Sequence, residues 1–225
     1  MAKLTERKQM KKNNRPRLSN RDVVLVTWIA QQSVCRLDTL AMVCENKNYE
    51  TTDRTLRRQT ERWVQLGLIE KERLLANAPS ILWTTNEGLK LANFEIKKGE
   101  RNYKPSFSTL HHNLAVARVR IEYEKGGAIW TCERELRNQF SGKHLADGMA
   151  EFEGQKILVE VDRTLKASSR LKRIMTLNAR TSGISLVDYW ITNDLYKEFQ
   201  KNISELDSNI SSKIRLFILP NEVAK

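Results

Sequence analysis

The sequence predicts a mixed α/β protein in two parts: a basic, helical first half closed by a strand pair, and a second half with a central mixed sheet. Three observations carry this. Apolar residues recur at helical spacing three times before two short strand-like runs in the first 94 positions. From residue 109 onward, helical and period-two segments alternate. The net charge of +12 is uneven, with 21 Lys/Arg against 12 Asp/Glu in residues 1–104 and 18 against 15 in residues 105–225. At 225 residues and 40% hydrophobic content, the chain is long enough for a real core and points to two domains.

The charge excess points to nucleic acid or another acidic surface as partner. Residues 1–18 read as a flexible basic arm, with seven basic residues and one acid between Lys3 and Arg17 and no apolar stretch of a signal peptide. Nothing approaches a membrane span. Cys35, Cys44 and Cys132 are odd in number and lack metal-ligand spacing, so they read as reduced core thiols of a cytoplasmic protein.

Ser19 or Asn20 caps a first helix with Val23, Val24, Ile29 and Ala30 on its apolar side and Trp28 as anchor. A second helix runs from about Asp38 to Cys44. The third starts at Thr51 or Thr52, turns Leu56, Trp63 and Leu66 inward, presents Arg54, Arg57, Arg58 and Gln65 outward, and stops at Gly67. Residues 68–74 and 80–84 make a strand pair around Asn77-Ala78-Pro79, and Thr84 to Gly88 opens a further helix. Residues 95–108 lack periodicity and contain Gly and Pro, which marks a linker.

In the second half, Leu110, Leu114, Ala117 and Ile121 mark a helix, and residues 129–136 a strand. Helices over 166–179 and 194–206 and strands over 186–192 and 214–219 complete the order. Between them, residues 146–162 read as a β-hairpin around a Gly154-Gln155 turn. That turn sets Glu153 opposite Lys156, Met149 opposite Glu160, and Asp147 opposite Asp162. Gly148, Ala150, Phe152, Ile157, Val159 and Val161 then form a core face. The other face gathers Asp147, Glu160 and Asp162 at its far end. Like charges stacked on a sheet destabilise it, so a cation, a shared proton or a basic partner must hold them. Oxygen-only ligands suit Mg²⁺ or Mn²⁺. The alternative is a solvated acidic face. Glu122, Glu124, Glu133 and Glu135 are further candidate acids near the site, the last two on the next strand; His111 and His112 are candidate assistants on the preceding helix.

Three helices and a strand pair, with Leu66-Gly67-Leu68-Ile69 and Thr84-Thr85-Asn86-Glu87-Gly88, resemble the winged-helix family over residues 19–94. The resemblance implies that Arg54, Arg57 and Arg58 meet double-stranded DNA from the recognition helix and Arg73 from the wing. Residues 109–225, with an Asp on the second strand and Glu-x-Asp on the third, resemble the PD-(D/E)xK, restriction-endonuclease-like superfamily. That implies Asp147 and Glu160 as metal-binding catalytic acids, and Asp162 on the same face is either a third ligand or an acid just outside the ligand set. Asp162 stands where the motif has Lys, which leaves Lys166, with Arg170 or Lys172 in support, as the basic group. The two domains together, with Val159-Glu160-Val161-Asp162-Arg163, are similar to the replication-relaxation family of plasmids and mobile elements. Two functions follow from these resemblances. One is a metal-dependent DNA endonuclease or nickase. The other is a noncatalytic DNA-binding regulator, or an accessory factor for a relaxase or replication initiator, with an inactive nuclease fold. A homodimer is compatible with either.

Overall fold

The computed structural model describes residues 17–74, 76–96, 105–139 and 145–220. Most of the predicted basic arm and the central part of the linker lie outside them. The chain is mixed α/β, with a three-stranded and a five-stranded sheet among the described residues.

Helix α1 (Asn20–Gln32) begins where Ser19 and Asp22 form a reciprocal capping box. Its buried side carries Leu25, Val26, Trp28, Ile29 and Ala30, whereas the expected Val23 and Val24 are only half buried. The reason is Asp22, which is itself 1% exposed and turns that side of the helix inward. Asp22 accepts from Gln59 Nε2 at 2.9 Å and Trp63 Nε1 at 2.8 Å, and so ties α1 to α3. Strand β1 (Cys35–Arg36) and helix α2 (Leu37–Asn46) follow. Helix α3 (Asp53–Gln65) is capped by Thr52 and ends before Gly67, which holds φ at 69°. Strands β2 (Ile69–Glu72) and β3 (Ile81–Thr84) form the expected antiparallel pair, and β1 adds to the far side of β3. Helix α4 (Asn86–Leu91) is capped by Thr85.

Helix α5 (Phe107–Lys125) is apolar on two sides. Ala117 and Ile121 join the core made by α1, α2 and α3, while Ala115, Val116 and Val119 pack on the large sheet. A helix with apolar residues on two sides can pack between two layers. The large sheet has the order β4-β5-β6-β7-β8, from β4 (Ile129–Cys132), β5 (Gly148–Phe152), β6 (Gln155–Asp162), β7 (Leu186–Ile191) and β8 (Ile214–Ile218). The β4-β5 and β5-β6 pairs are antiparallel, and β6-β7 and β7-β8 are parallel. The strand expected over 129–136 ends at Cys132. Helix α6 (Glu133–Gln139) takes over there, so Glu133 and Glu135 are helical. The helix expected from Lys166 begins later, as α7 (Ser168–Ala179). A 3-10 turn (Asn193–Leu195), α8 (Tyr196–Ser204) and α9 (Ser208–Ser211) complete the described elements.

The hairpin turn is Glu153-Gly154, one position earlier than expected. Both residues hold positive φ, 49° and 76°, as a type I′ hairpin loop requires. Phe152 therefore pairs with Gln155 and Gly148 with Val159. The register moves by two residues, which keeps every side chain on its expected face but changes its partner. Asp147 now precedes the residue opposite Val159 and lies across from Glu160 rather than Asp162. Ala150, Ile157, Val159 and Val161 face α5 as expected, whereas Phe152 is 42% exposed at the hairpin tip. Gly148 has no substitute, because a Cβ there would overlap the Trp130 ring.

Burial pushes the Asp22 carboxyl up, but hydrogen bonds from Gln59, Ser19 and Trp63 outweigh it and hold the group at about 2, below its ordinary 3.8. A depressed carboxylate stabilises the fold fully above its unfolded value and loses that contribution as pH falls through the folded one. The difference corresponds to roughly 2 kcal/mol. Asp22→Asn should lower the melting temperature at neutral pH, and the gap to wild type should narrow as the pH drops from 5 towards 2.5 in thermal denaturation. A gap that stays constant would show that the charge of Asp22 does not contribute.

Candidate functional site

The second face of the hairpin is covered by protein. Met149 and Leu158 pack with Leu171 and Met175 of α7, Tyr189 of β7 and Phe199 of α8. The alternative of a solvated acidic face therefore does not hold, and the acids sit at the end of this face with Glu160 2% and Asp162 6% exposed. Buried charges need partners, and each acid has a different one.

Asp147 Oδ1 lies 2.9 Å from His112 Nε2, and its Oδ2 accepts the Val161 N–H at 2.7 Å. Glu160 Oε1 accepts from Asn178 Nδ2 of α7 at 2.8 Å. Asp162 Oδ1 is paired with Lys166, and its Oδ2 is buried without a hydrogen-bond partner among the described residues. His112 responds to the whole cluster. Burial lowers its pKa, but the Asp147 hydrogen bond and the charges of Asp147, Asp162 and Glu160 outweigh that and raise it above 6.5. Tyr189, in register with Glu160, has its hydroxyl pushed well up by burial, and the same three carboxylates add to the effect. It stays a neutral phenol beneath them.

Of the expected site residues, Asp147, Glu160, Asp162 and Lys166 thus come together, and His112 belongs with them. Lys172 does not, because its Nζ lies 2.8 Å from Glu205, and Arg170 is exposed. Glu122 and Glu124 lie at the other end of α5, about 15–18 Å along the helix from His112. Glu124 bonds Arg120 and Trp28 there, and Glu135 reaches Gln31 of α1. Asn178 and Tyr189 were invisible to sequence reasoning, since they reach the acids from elements whose packing no local pattern fixes.

Three carboxylates are hard oxygen donors, and Asp162 Oδ2 is a buried acceptor without a hydrogen-bond partner among the described residues. Among the described residues, however, no three His, Cys, Asp or Glu side chains gather closely enough to hold a metal ion. The bonds to His112, Val161, Asn178 and Lys166 explain this, because each turns its carboxylate towards a protein donor. Carboxylate oxygens such as those of Asp147, Glu160 and Asp162 are the donor type that Mg²⁺ and Mn²⁺ take.

A second feature lies on α3. Arg54, Arg57 and Arg58 are all exposed, and the ion pair of Arg57 with Asp53 is a loose one at 4.0 Å. Arg73, just after β2, is exposed too. By contrast, Arg62 on the same helix is committed inward, 3.6 Å from Asp22 and donating to the Arg17 carbonyl at 2.6 Å. All three cysteines are buried and free, and burial pushes the Cys132 thiol up to about 12. No helix among the described residues is long and apolar enough to cross a membrane. No family model, curated protein or solved structure matches the chain.

His112 has a raised folded pKa, so its stabilising contribution is present below 6.5 and is lost as pH rises through the raised value. In an NMR titration of the imidazole, Asp147→Asn should bring the His112 pKa down. An unchanged titration would show that the two side chains are not bonded in solution.

Proposed function

We propose that this chain is a double-stranded DNA-binding protein of a plasmid or mobile element, with a winged-helix reader and a nuclease-like domain. The observation that carries the reading is the outward face of α3, where Arg54, Arg57 and Arg58 stand exposed without a close ion pair among the described residues. A helix with that face, followed by an antiparallel strand pair bearing Arg73, suits insertion into a major groove with phosphate contacts on either side. The charge of the first half supplies the counterion release that drives such binding. Helix, antiparallel strands with a buried acid pair, helix and parallel strand support the nuclease-like reading and, with the reader, the replication-relaxation resemblance. In that reading Asp147, Glu160 and Asp162 hold Mg²⁺ or Mn²⁺, which when bound supplies Lewis-acid polarisation of a phosphoryl oxygen. Asp147 and Glu160 are its catalytic acids, and Lys166 supplies the basic group.

The Asp162–Lys166 pair favours a second reading, because it engages both the third ligand and the candidate base. In this reading the domain is an inactive nuclease fold, and the chain serves as a DNA-binding regulator or as an accessory factor to a relaxase or replication initiator.

Replacing Arg54, Arg57 and Arg58 together with Ala should weaken duplex binding by several kcal/mol, at roughly 1–3 per base-contacting Arg, in a gel-shift titration. Unchanged affinity would remove the recognition-helix assignment. Calorimetry with Mn²⁺ should show binding that is lost in Asp147→Asn and Glu160→Gln. Incubation of supercoiled plasmid with Mg²⁺ or Mn²⁺ separates the two functions: nicking that falls at least about tenfold in Lys166→Ala supports the enzyme. Plasmid bound but left intact supports the noncatalytic protein.

A further inference from the structure

The second half carries a charge imbalance that its net value hides. Residues 163–187 contain six basic residues and no acid, so the rest of residues 105–225 holds 12 basic residues against 15 acids. The segment follows the acid-bearing strand β6 and includes all of α7. Two of its cations are committed, Lys166 to Asp162 and Lys172 to Glu205. Arg170, Arg173 and Arg180 are exposed, and none of them has an ion pair or hydrogen-bonding partner among the described residues.

These three share one side of α7. The helix turns Leu171, Ile174, Met175 and Asn178 inward, and Asn178 reaches Glu160 from that face. At about 100° per residue, positions 170, 173, 177 and 180 fall within about 80° of one another on the opposite side. Arg180 follows the last residue of the helix with its backbone still helical, and Leu177 stands between it and Arg173. The stripe is about 15 Å long, a length over which one strand of duplex DNA rises past about four phosphates.

The placement of these side chains does little for the helix. Arg170 stands in the first turn, where the helix dipole favours acids and α7 has none, and it lies three residues from Arg173, a spacing at which like charges repel. Only Arg180, past the last turn, suits the dipole. A local rule broken with no compensating partner inside the fold is the mark of a group kept for function.

We propose that the outer face of α7 is a second DNA-binding surface, on which Arg170, Arg173 and Arg180 follow the phosphates of one strand of a duplex. The inference rests on the DNA-binding reading and adds a contact made by the second half of the chain. Guanidinium groups donate to phosphate oxygens whatever the base sequence, so this surface adds affinity and salt dependence rather than sequence discrimination.

The test is fluorescence anisotropy of a labelled duplex with the full chain over a salt series, alongside thermal melting. Replacing Arg170, Arg173 and Arg180 together with Ala should weaken binding at least about tenfold and lower the slope of log K against log salt by about two to three, since each phosphate contact contributes about 0.9. Its melting temperature should match or exceed that of wild type, because Ala relieves the repulsion and is the better helix former. Lys197→Ala with Lys201→Ala removes two exposed charges from α8 and should leave the slope at its wild-type value. An equal loss per charge in that control would overturn the stripe, because net charge alone would then account for the effect. A lower melting temperature of the α7 variant would overturn it as well, by showing that these side chains serve the fold. If the α3 triple variant loses affinity while the α7 variant matches wild type, the stripe is overturned and the reader stands; the reverse result removes the reader and keeps the stripe. Failure of wild type to bind duplex at low salt would overturn the DNA-binding reading and the stripe with it.

Discussion

The two halves of the molecule meet around the buried guanidinium of Arg120. It is 4% exposed and lies in the middle of α5, with its Cζ 4.6 Å above the Trp28 ring. Its Nε donates to Glu124 at 2.7 Å, Nη1 to Gln32 at 3.1 Å and Nη2 to Gln31 at 2.7 Å. Glu124 in turn accepts from Trp28 Nε1 at 3.0 Å. Burying an ion costs several kcal/mol unless its hydrogen bonds are all made, so the arrangement tolerates one seating of α1 on α5 and penalises others. Burial pulls the Arg120 pKa down and the Glu124 carboxylate beside it opposes that. From Gln31 the bonds continue to Glu135 of α6, which accepts the Cys132 N–H at 3.0 Å on the edge of the large sheet. The helix that carries the arginine face and the sheet that carries the acids are thereby held in one frame, and His112 reaches Asp147 from the same α5.

Within that frame, the acidic cluster persists because its compensation is divided among elements. Helix α5 supplies His112, the backbone of β6 supplies the Val161 amide, α7 supplies Asn178, and the segment between β6 and α7 supplies Lys166. Two of the four compensating donors are neutral dipoles. They stabilise charge without bringing a formal countercharge, which leaves the site acidic while satisfying its hydrogen bonds. The opposite side of the sheet handles charge differently. There Asp188, fully buried, is gripped by Arg215 through bonds of 2.7 and 2.8 Å and accepts from the Tyr123 hydroxyl, which closes the network.

The elements that were legible in the sequence are those with strong local chemistry. Ser19 and Thr52, each one of two expected starting residues, cap their helices, a helix opens within Thr84 to Gly88 as expected, Gly67 ends α3, and the order of strands and helices in the second half follows from periodicity. The hairpin was legible as a hairpin, but its turn was misplaced because Glu153 adopts a left-handed conformation that a Gly-Gln reading does not anticipate. Strand β1 spans two residues and exists through pairing with β3, so no local pattern announces it. The acids are legible because charge inside an apolar run is conspicuous. Their partners are not, since Asn178 on α7 and Tyr189 on β7 look ordinary until tertiary packing brings them under Glu160 and Asp162. His112 had a signal only in its place on the helix expected to border the site.

In the proposed nuclease-like reading, the register of the hairpin changes what an acid at position 162 means. With Asp147 across from Glu160, these two form the facing pair, and Asp162 stands one step further along the strand beside Lys166. A Lys at position 162 would itself bring a positive charge to this end of β6. Here the same place holds an acid, which makes the cluster two charge units more negative than it would be with that Lys, and the lysine four residues later offsets one of them. Greater negative charge strengthens attraction for a cation and repulsion of phosphate alike. In the proposed reading, a phosphate backbone that reaches Asp147 and Glu160 depends on positive charge arriving at this corner, from Arg163 on the neighbouring position or from a protonated His112.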